Sequence, residues 1–154
     1  MQKLILCDIN VADRGKSTTL LKLLDLFEKD KANFELKDKK DDIGEEKDVF
    51  AVFEFKSNGR KVIIQTAGDS EDEYKHVRDY KPNAYIIVCA SRTKGQAFDA
   101  VNDIAEKGKY GIIWFQNFFI DKKLRHPHRK ISDEINLNLA GSIFNFVKKY
   151  LKDS

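Results

Sequence analysis

Gly15, Lys16, Ser17 and Thr18 stand between an apolar run, Leu4-Ile5-Leu6-Cys7, and a leucine-rich stretch that begins at Leu20. In this order such residues can hold a polyphosphate. Backbone N–H groups of a small-residue loop and of a helix N-terminus surround the anion, a lysine neutralises it, and a serine hydroxyl ligates magnesium. The G-x-x-x-x-G-K-[ST] pattern is met at Gly15, Lys16 and Ser17, with Asn10 in the place of its first glycine. A glycine serves there because the chain turns sharply off a strand, and asparagine is one of the few other residues that tolerate a left-handed backbone. Asp13 and Arg14 lie inside the loop, either solvated or, for Arg14, paired with a phosphate. Asn10, Asp13, Arg14, Gly15, Lys16, Ser17 and Thr18 are thus the candidate contacts of a nucleoside triphosphate and its Mg2+ ion. The plainer alternative is a capped helix start after a buried strand.

The elements around this segment are those the chemistry requires. A helix is expected from Lys16 to Asp30, with Leu20, Leu23, Leu24 and Phe27 on one face. Residues 31–48 are dense in both charges and are expected to form a long loop, either solvated or closing over a ligand. Two strand-like runs, 49–55 and 61–65, flank an Asn58-Gly59 turn signal and should pair as an antiparallel hairpin with a two-residue turn. A polar, helix-like stretch then runs to Tyr80, ahead of Pro82.

Residues 84–90 read as a strand buried on both faces, 96–107 as a helix stopped by Gly108, and 112–115 as a second buried strand with Trp114 in the core. After a basic loop, Ser132 is expected to cap a last helix whose Ile135, Leu139, Ile143, Val147 and Leu151 form one stripe. Strands alternating with helices imply a mostly parallel α/β sheet with right-handed crossovers. Ligands of such sheets bind beyond the carboxyl ends of the strands. That rule selects residues 10–17, 66–69, 91–95 and 116–121.

Size and charge narrow the classes further. The 154 residues suit one domain, 1–154, and the balance of 28 Lys+Arg against 25 Asp+Glu, net +3, argues against nucleic acid as a specific partner. Cys7 and Cys89 sit in apolar runs, as small buried hydrophobes of a reducing compartment, and lack metal spacing. Met1-Gln2-Lys3 leads straight into a short strand, and the longest apolar stretch, 110–120, is too short to span a bilayer. A cytoplasmic protein without a membrane partner is expected. His76, His126 and His128 show no metal spacing either.

The segment Gln65-Thr66-Ala67-Gly68-Asp69-Ser70-Glu71-Asp72-Glu73-Tyr74 resembles the second switch of the Ras-type small GTPases, which opens Asp-Thr-Ala-Gly and continues acidic. Element order along most of the chain is similar as well, so the chain resembles a divergent, shortened P-loop NTPase of that kind. The resemblance implies a three-layer fold with helices on both faces of a mostly parallel five-stranded sheet, one antiparallel hairpin strand lying at its edge. It implies that the Gly68 N–H meets the terminal phosphate and that Gln65 stands where an acidic residue holds magnesium through water. Asp69 takes the place of the water-positioning glutamine; it could orient or deprotonate a water, or simply cap the next helix. Asp42 occupies the place of a magnesium-binding threonine. Asn117 and Phe118, where Asn-Lys-x-Asp would stand, could bond and cover a purine, but Asp121 falls one residue late for guanine.

Three functions follow from these readings. The first is a purine nucleotide-binding switch with slow or partner-assisted Mg-dependent hydrolysis, presenting residues 31–48 and 69–80 to a protein partner. The second is a small-molecule or nucleotide kinase, for which Arg92 and Lys94 would supply cations at the phosphates. The third is a non-catalytic interaction domain that keeps the fold.

Overall fold

The computed structural model describes residues 1–9, 16–43, 48–80, 84–116 and 129–154, with the backbone alone at Lys16 and Ser17. The continuous apolar runs become interior strands. β1 (Leu4–Ile9) leads to α1 (Lys16–Lys29), followed by β2 (Phe34–Lys40), β3 (Phe50–Phe55) and β4 (Lys61–Gln65). A 3-10 turn (Asp72–Tyr74) runs into α2 (Lys75–Tyr80). Then come β5 (Ala84–Ser91), α3 (Gln96–Gly108), β6 (Gly111–Phe115) and α4 (Arg129–Asp153).

The described strands form one six-stranded sheet in the order β2-β3-β4-β5-β1-β6. Pairing is parallel for β4 with β5, β5 with β1 and β1 with β6, and antiparallel on both sides of β3. The sheet is therefore mixed and mostly parallel, with helices on both faces. It differs from the expected five strands by β2, which takes up part of the segment read as a loop. With β2 outside it, the antiparallel strand β3 is interior and not at the edge. Charge density hid β2 because an edge strand needs to bury only one face and satisfies its backbone through one neighbour; Phe34 is buried while Glu35, Leu36, Lys37, Lys39 and Lys40 are exposed.

Each sheet face carries its own core. On one, Leu20, Leu23, Leu24 and Phe27 of α1 and Ala140, Ile143, Val147 and Leu151 of α4 pack on Leu6, Ile64 and Val88. On the other, Tyr74, Val77 and the α3 residues Ala97, Val101 and Ile104 pack on Ile5, Cys7, Ile63 and Cys89. The α4 stripe is rotated from the expected one: Asn136 and Ala140 are buried where Ile135 and Leu139 are only half-buried.

Four local readings are corrected. Phe55 N–H donates to the Arg60 carbonyl at 2.8 Å, so the β3–β4 hairpin closes a four-residue loop and not a two-residue turn. Gly108 is the last residue of α3, and the left-handed residue after it is Lys109 at φ 56°. Glycine is needed at 108 because a Cβ would overlap the Tyr110 ring. Ser132 lies within α4 rather than ahead of it. β6 is an edge strand, half-buried, with Ile113 exposed and Trp114 stacked on Phe98 at a centroid distance of 5.0 Å.

Candidate functional site

β1 and β5 are adjacent and parallel, in register up to Ile9 opposite Ser91. The helices that follow them lie on opposite faces, α1 in one core and α3 in the other. This is a topological switch point, where a crevice opens beyond the strand ends between two diverging connections. β1 ends at that crevice with Ile9, and the next described element, α1, starts at Lys16. Residues 92–95 leave β5 beside it and α3 starts at Gln96. Both helix N-termini make that edge of the sheet electropositive. Gly95 begins α3 at φ 90° without a side-chain cap, and the Asp99 N–H donates to its carbonyl at 3.0 Å.

Several expected contacts, Asn10, Asp13, Arg14, Gly15, Asn117 and Phe118, lie outside the described residues, as do Asp121, His126 and His128. Lys16 and Ser17 are the first two residues of α1. Thr18 is exposed in that first turn, whereas Thr19 is fully buried and its hydroxyl donates to Asn136 Oδ1 of α4 at 3.1 Å. This buried polar bond fixes the start of α1 against α4, a role that spacing alone did not reveal. Asp8, fully buried near the end of β1, pairs in register with Ala90 and Phe115.

Gln65 ends β4 and is fully buried. Its Nε2 donates to the Ala67 carbonyl at 3.2 Å, while its Oε1 has no hydrogen-bond partner among the described residues. A buried carbonyl oxygen with spare acceptor capacity suits a water or a hydrated cation. Because β5 separates β4 from β1, the two strand ends are about 10 Å apart, two strand spacings, which suits contact through water and not direct sharing of one ion. No group of three or more His, Cys, Asp or Glu among the described residues is arranged to hold a metal.

After β4 the chain is held by side chains that sequence reasoning had assigned no role. The Thr66 hydroxyl donates to Asp48 Oδ1 at 2.8 Å and accepts from Val49 N–H at 2.9 Å, and Thr66 N–H donates to the Val49 carbonyl at 3.0 Å. Gly68 lies so close over β5 that a Cβ would overlap the Ala90 carbonyl, and the buried Tyr74 hydroxyl donates to the same carbonyl. Burial, with the neighbouring Cys89 and Cys7 sulfurs, raises the Tyr74 phenol well above its ordinary pKa.

Glu71, and not Asp69, is the N-cap residue of the 3-10 turn. Glu73 reaches back and accepts from Asp69 N–H at 2.7 Å and from Ser70 N–H at 3.3 Å. Burial, helped by the charges of Asp69 and Asp48, raises the Glu73 pKa against the pull of those two N–H groups. The Asp69 carboxylate points elsewhere, accepting from Arg92 Nε at 3.1 Å, with both side chains about half exposed. Lys94 is exposed in the same β5–α3 loop. Asp42 is exposed with a left-handed backbone, φ 55°, beside Ile43, whose N–H donates to the Asp48 carbonyl at 3.1 Å. No helix among the described residues is long and apolar enough to cross a membrane. Comparison with known proteins returned no match to a family model, to a curated protein or to a solved structure.

Proposed function

We propose that this chain binds a nucleoside triphosphate with Mg2+ at the carboxyl ends of β1, β5 and β4, and hydrolyses it slowly or with a partner's help. One observation carries the reading: the helix that begins with Lys16 and Ser17 opens from the interior strand at the switch point of the sheet. A triphosphate there would meet the α1 N-terminus and the Lys16 ammonium, with Ser17 and, through water, Gln65 on its magnesium. The ion would offset charge on the phosphate oxygens. The Gly68 N–H belongs to a backbone segment pinned over β5, which suits it to sense the terminal phosphate.

A non-catalytic binding domain is the second reading. It is favoured by Gln65, a neutral residue where a carboxylate is expected, and by Asp69, engaged with Arg92 and so not free to activate a water. One set of measurements separates the two. Titration with MgATP and MgGTP should give binding to one or both, lost by at least tenfold in Lys16→Ala, since a charged phosphate contact contributes about 1.5–3 kcal/mol. Phosphate release above the nucleotide blank would establish hydrolysis, and binding without release would favour the interaction domain. Equal, negligible binding by the wild type and Lys16→Ala would overturn both readings.

A further inference from the structure

Strand order sets the start of the β5–α3 loop beside the carboxyl end of β1. Ser91 is the register partner of Ile9, so Arg92 is the first residue beyond the paired strands, about 5 Å, one strand spacing, to the side of β1. The Ser91 hydroxyl, in a fully buried residue, donates to the Arg92 carbonyl at 3.0 Å and helps fix where the arginine leaves the sheet. Gly68 crosses over Ala90 from the other side, bringing Asp69 within 3.1 Å of the Arg92 guanidinium. The pair therefore bridges the loop after β4 and the loop after β5, at the switch-point crevice.

Its chemistry suits exchange. The ion pair sets Arg92 Nε on one Asp69 oxygen and is about half exposed, so solvent screens it and little is lost when it opens. A phosphate offers the same guanidinium a more highly charged partner that accepts two parallel N–H bonds. Asp69 is also crowded by Glu73, whose carboxylate is bonded to its own N–H. Asp69 thus stands as a counterion that a phosphate can replace.

We propose that Arg92 is a phosphate-binding residue and that Asp69 holds it in the nucleotide-free protein, the terminal phosphate of the triphosphate displacing Asp69 on binding. This rests on the triphosphate reading above. It differs from the role that the resemblance gives Asp69, because the carboxylate here masks a cation and orients no water. It also supplies a switch: loss of the pair frees the loop after β4 from the loop after β5 only when the terminal phosphate is present.

The test is calorimetric titration of MgATP, MgGTP, MgADP and MgGDP into the wild type, Arg92→Ala, Arg92→Lys, Asp69→Asn and the Arg92→Ala/Asp69→Asn double variant, with thermal melts as fold controls. Arg92→Ala should weaken the triphosphate by tenfold or more and the diphosphate by less than threefold. Arg92→Lys, which keeps charge without the fork, should fall between the alanine variant and the wild type. Asp69→Asn should tighten the triphosphate severalfold, and that gain should vanish in the double variant. Triphosphate affinity within twofold of wild type in Arg92→Ala, or an Asp69→Asn gain that persists without the arginine, overturns the exchange while leaving the binding reading intact. A wild type that binds none of the four nucleotides overturns the reading itself, and the exchange with it.

Discussion

Gly68 and Ala90 share one close backbone approach: the chain after β4 passes over the end of β5 at a distance that leaves no space for a Cβ at residue 68. The obstructing atoms belong to the β5 backbone and cannot rotate away. Gly68→Ala is expected to destabilise by about 1–3 kcal/mol, as overpacking against rigid structure does. It should also weaken any triphosphate binding, because the loop must lift. The check is a pair of thermal melts, with and without nucleotide; an unchanged melting temperature would mean that the loop after β4 has slack.

Thr66 supports the same loop from beneath. Its hydroxyl is fully used, donating to Asp48 and accepting from Val49 N–H in a buried setting. Thr66→Val keeps the shape and removes both bonds, leaving a buried carboxylate oxygen and N–H with one partner fewer, at an expected cost of about 2–4 kcal/mol. Thr66→Ser retains the hydroxyl and should recover most of that loss. Chemical denaturation of the two variants side by side decides it.

The alkaline limb of stability should report two buried phenols. Burial pushes Tyr110 from 10.0 up to about 12, and Tyr74 is raised well above 10.0. Since the folded state holds these protons more tightly than the unfolded chain, their contribution is fully present below pH 10 and is lost as pH rises through the folded values. Stability should therefore fall between about pH 10 and 12. Tyr110→Phe keeps the ring against Ala84, loses the bond of its hydroxyl to the Ala84 carbonyl, and should flatten that fall. A slope unchanged in Tyr110→Phe would assign the alkaline transition to other groups.

What the sequence disclosed follows from what each segment buries. Leu4 to Cys7 and Ala84 to Ala90 are interior strands whose apolar runs can belong to little else, and the α1 stripe from Leu20 to Phe27 lies where its period puts it. Segments whose state depends on a neighbour were less legible. β2 carries charges that only an edge position permits, and β6 is apolar although it lies at an edge. Gly108 looked like a helix stop, but the tight Tyr110 contact is what requires glycine there. Around the sheet's carboxyl edge, the resemblance singled out Gln65, Gly68 and Asp69, and the loop after the 84–90 strand offered Arg92. That Asp69 would face Arg92, and that β5 would part β4 from β1, depend on strand order, which no local pattern encodes.

Gln65 gives the sharpest test of the metal side of the site. Its amide donates to Ala67 and leaves Oε1 without a partner among the described residues, in a fully buried position. Gln65→Asp removes the donor and buries a carboxylate near the Ala67 carbonyl, which without a cation should cost roughly 2–4 kcal/mol. If the position looks onto a hydrated magnesium, the same carboxylate becomes a better outer partner than the amide, because hard divalent ions prefer anionic oxygen. The variant should then melt below the wild type in chelator. It should gain more than the wild type from Mg2+ with nucleotide, and bind triphosphate with a steeper magnesium dependence. Asp69→Asn, by contrast, should leave the magnesium dependence unaltered, since that carboxylate serves Arg92. A Gln65→Asp deficit of the same size with and without magnesium, beside a collapse of magnesium dependence in Asp69→Asn, would move the metal role from the end of β4 to the rim of the crevice.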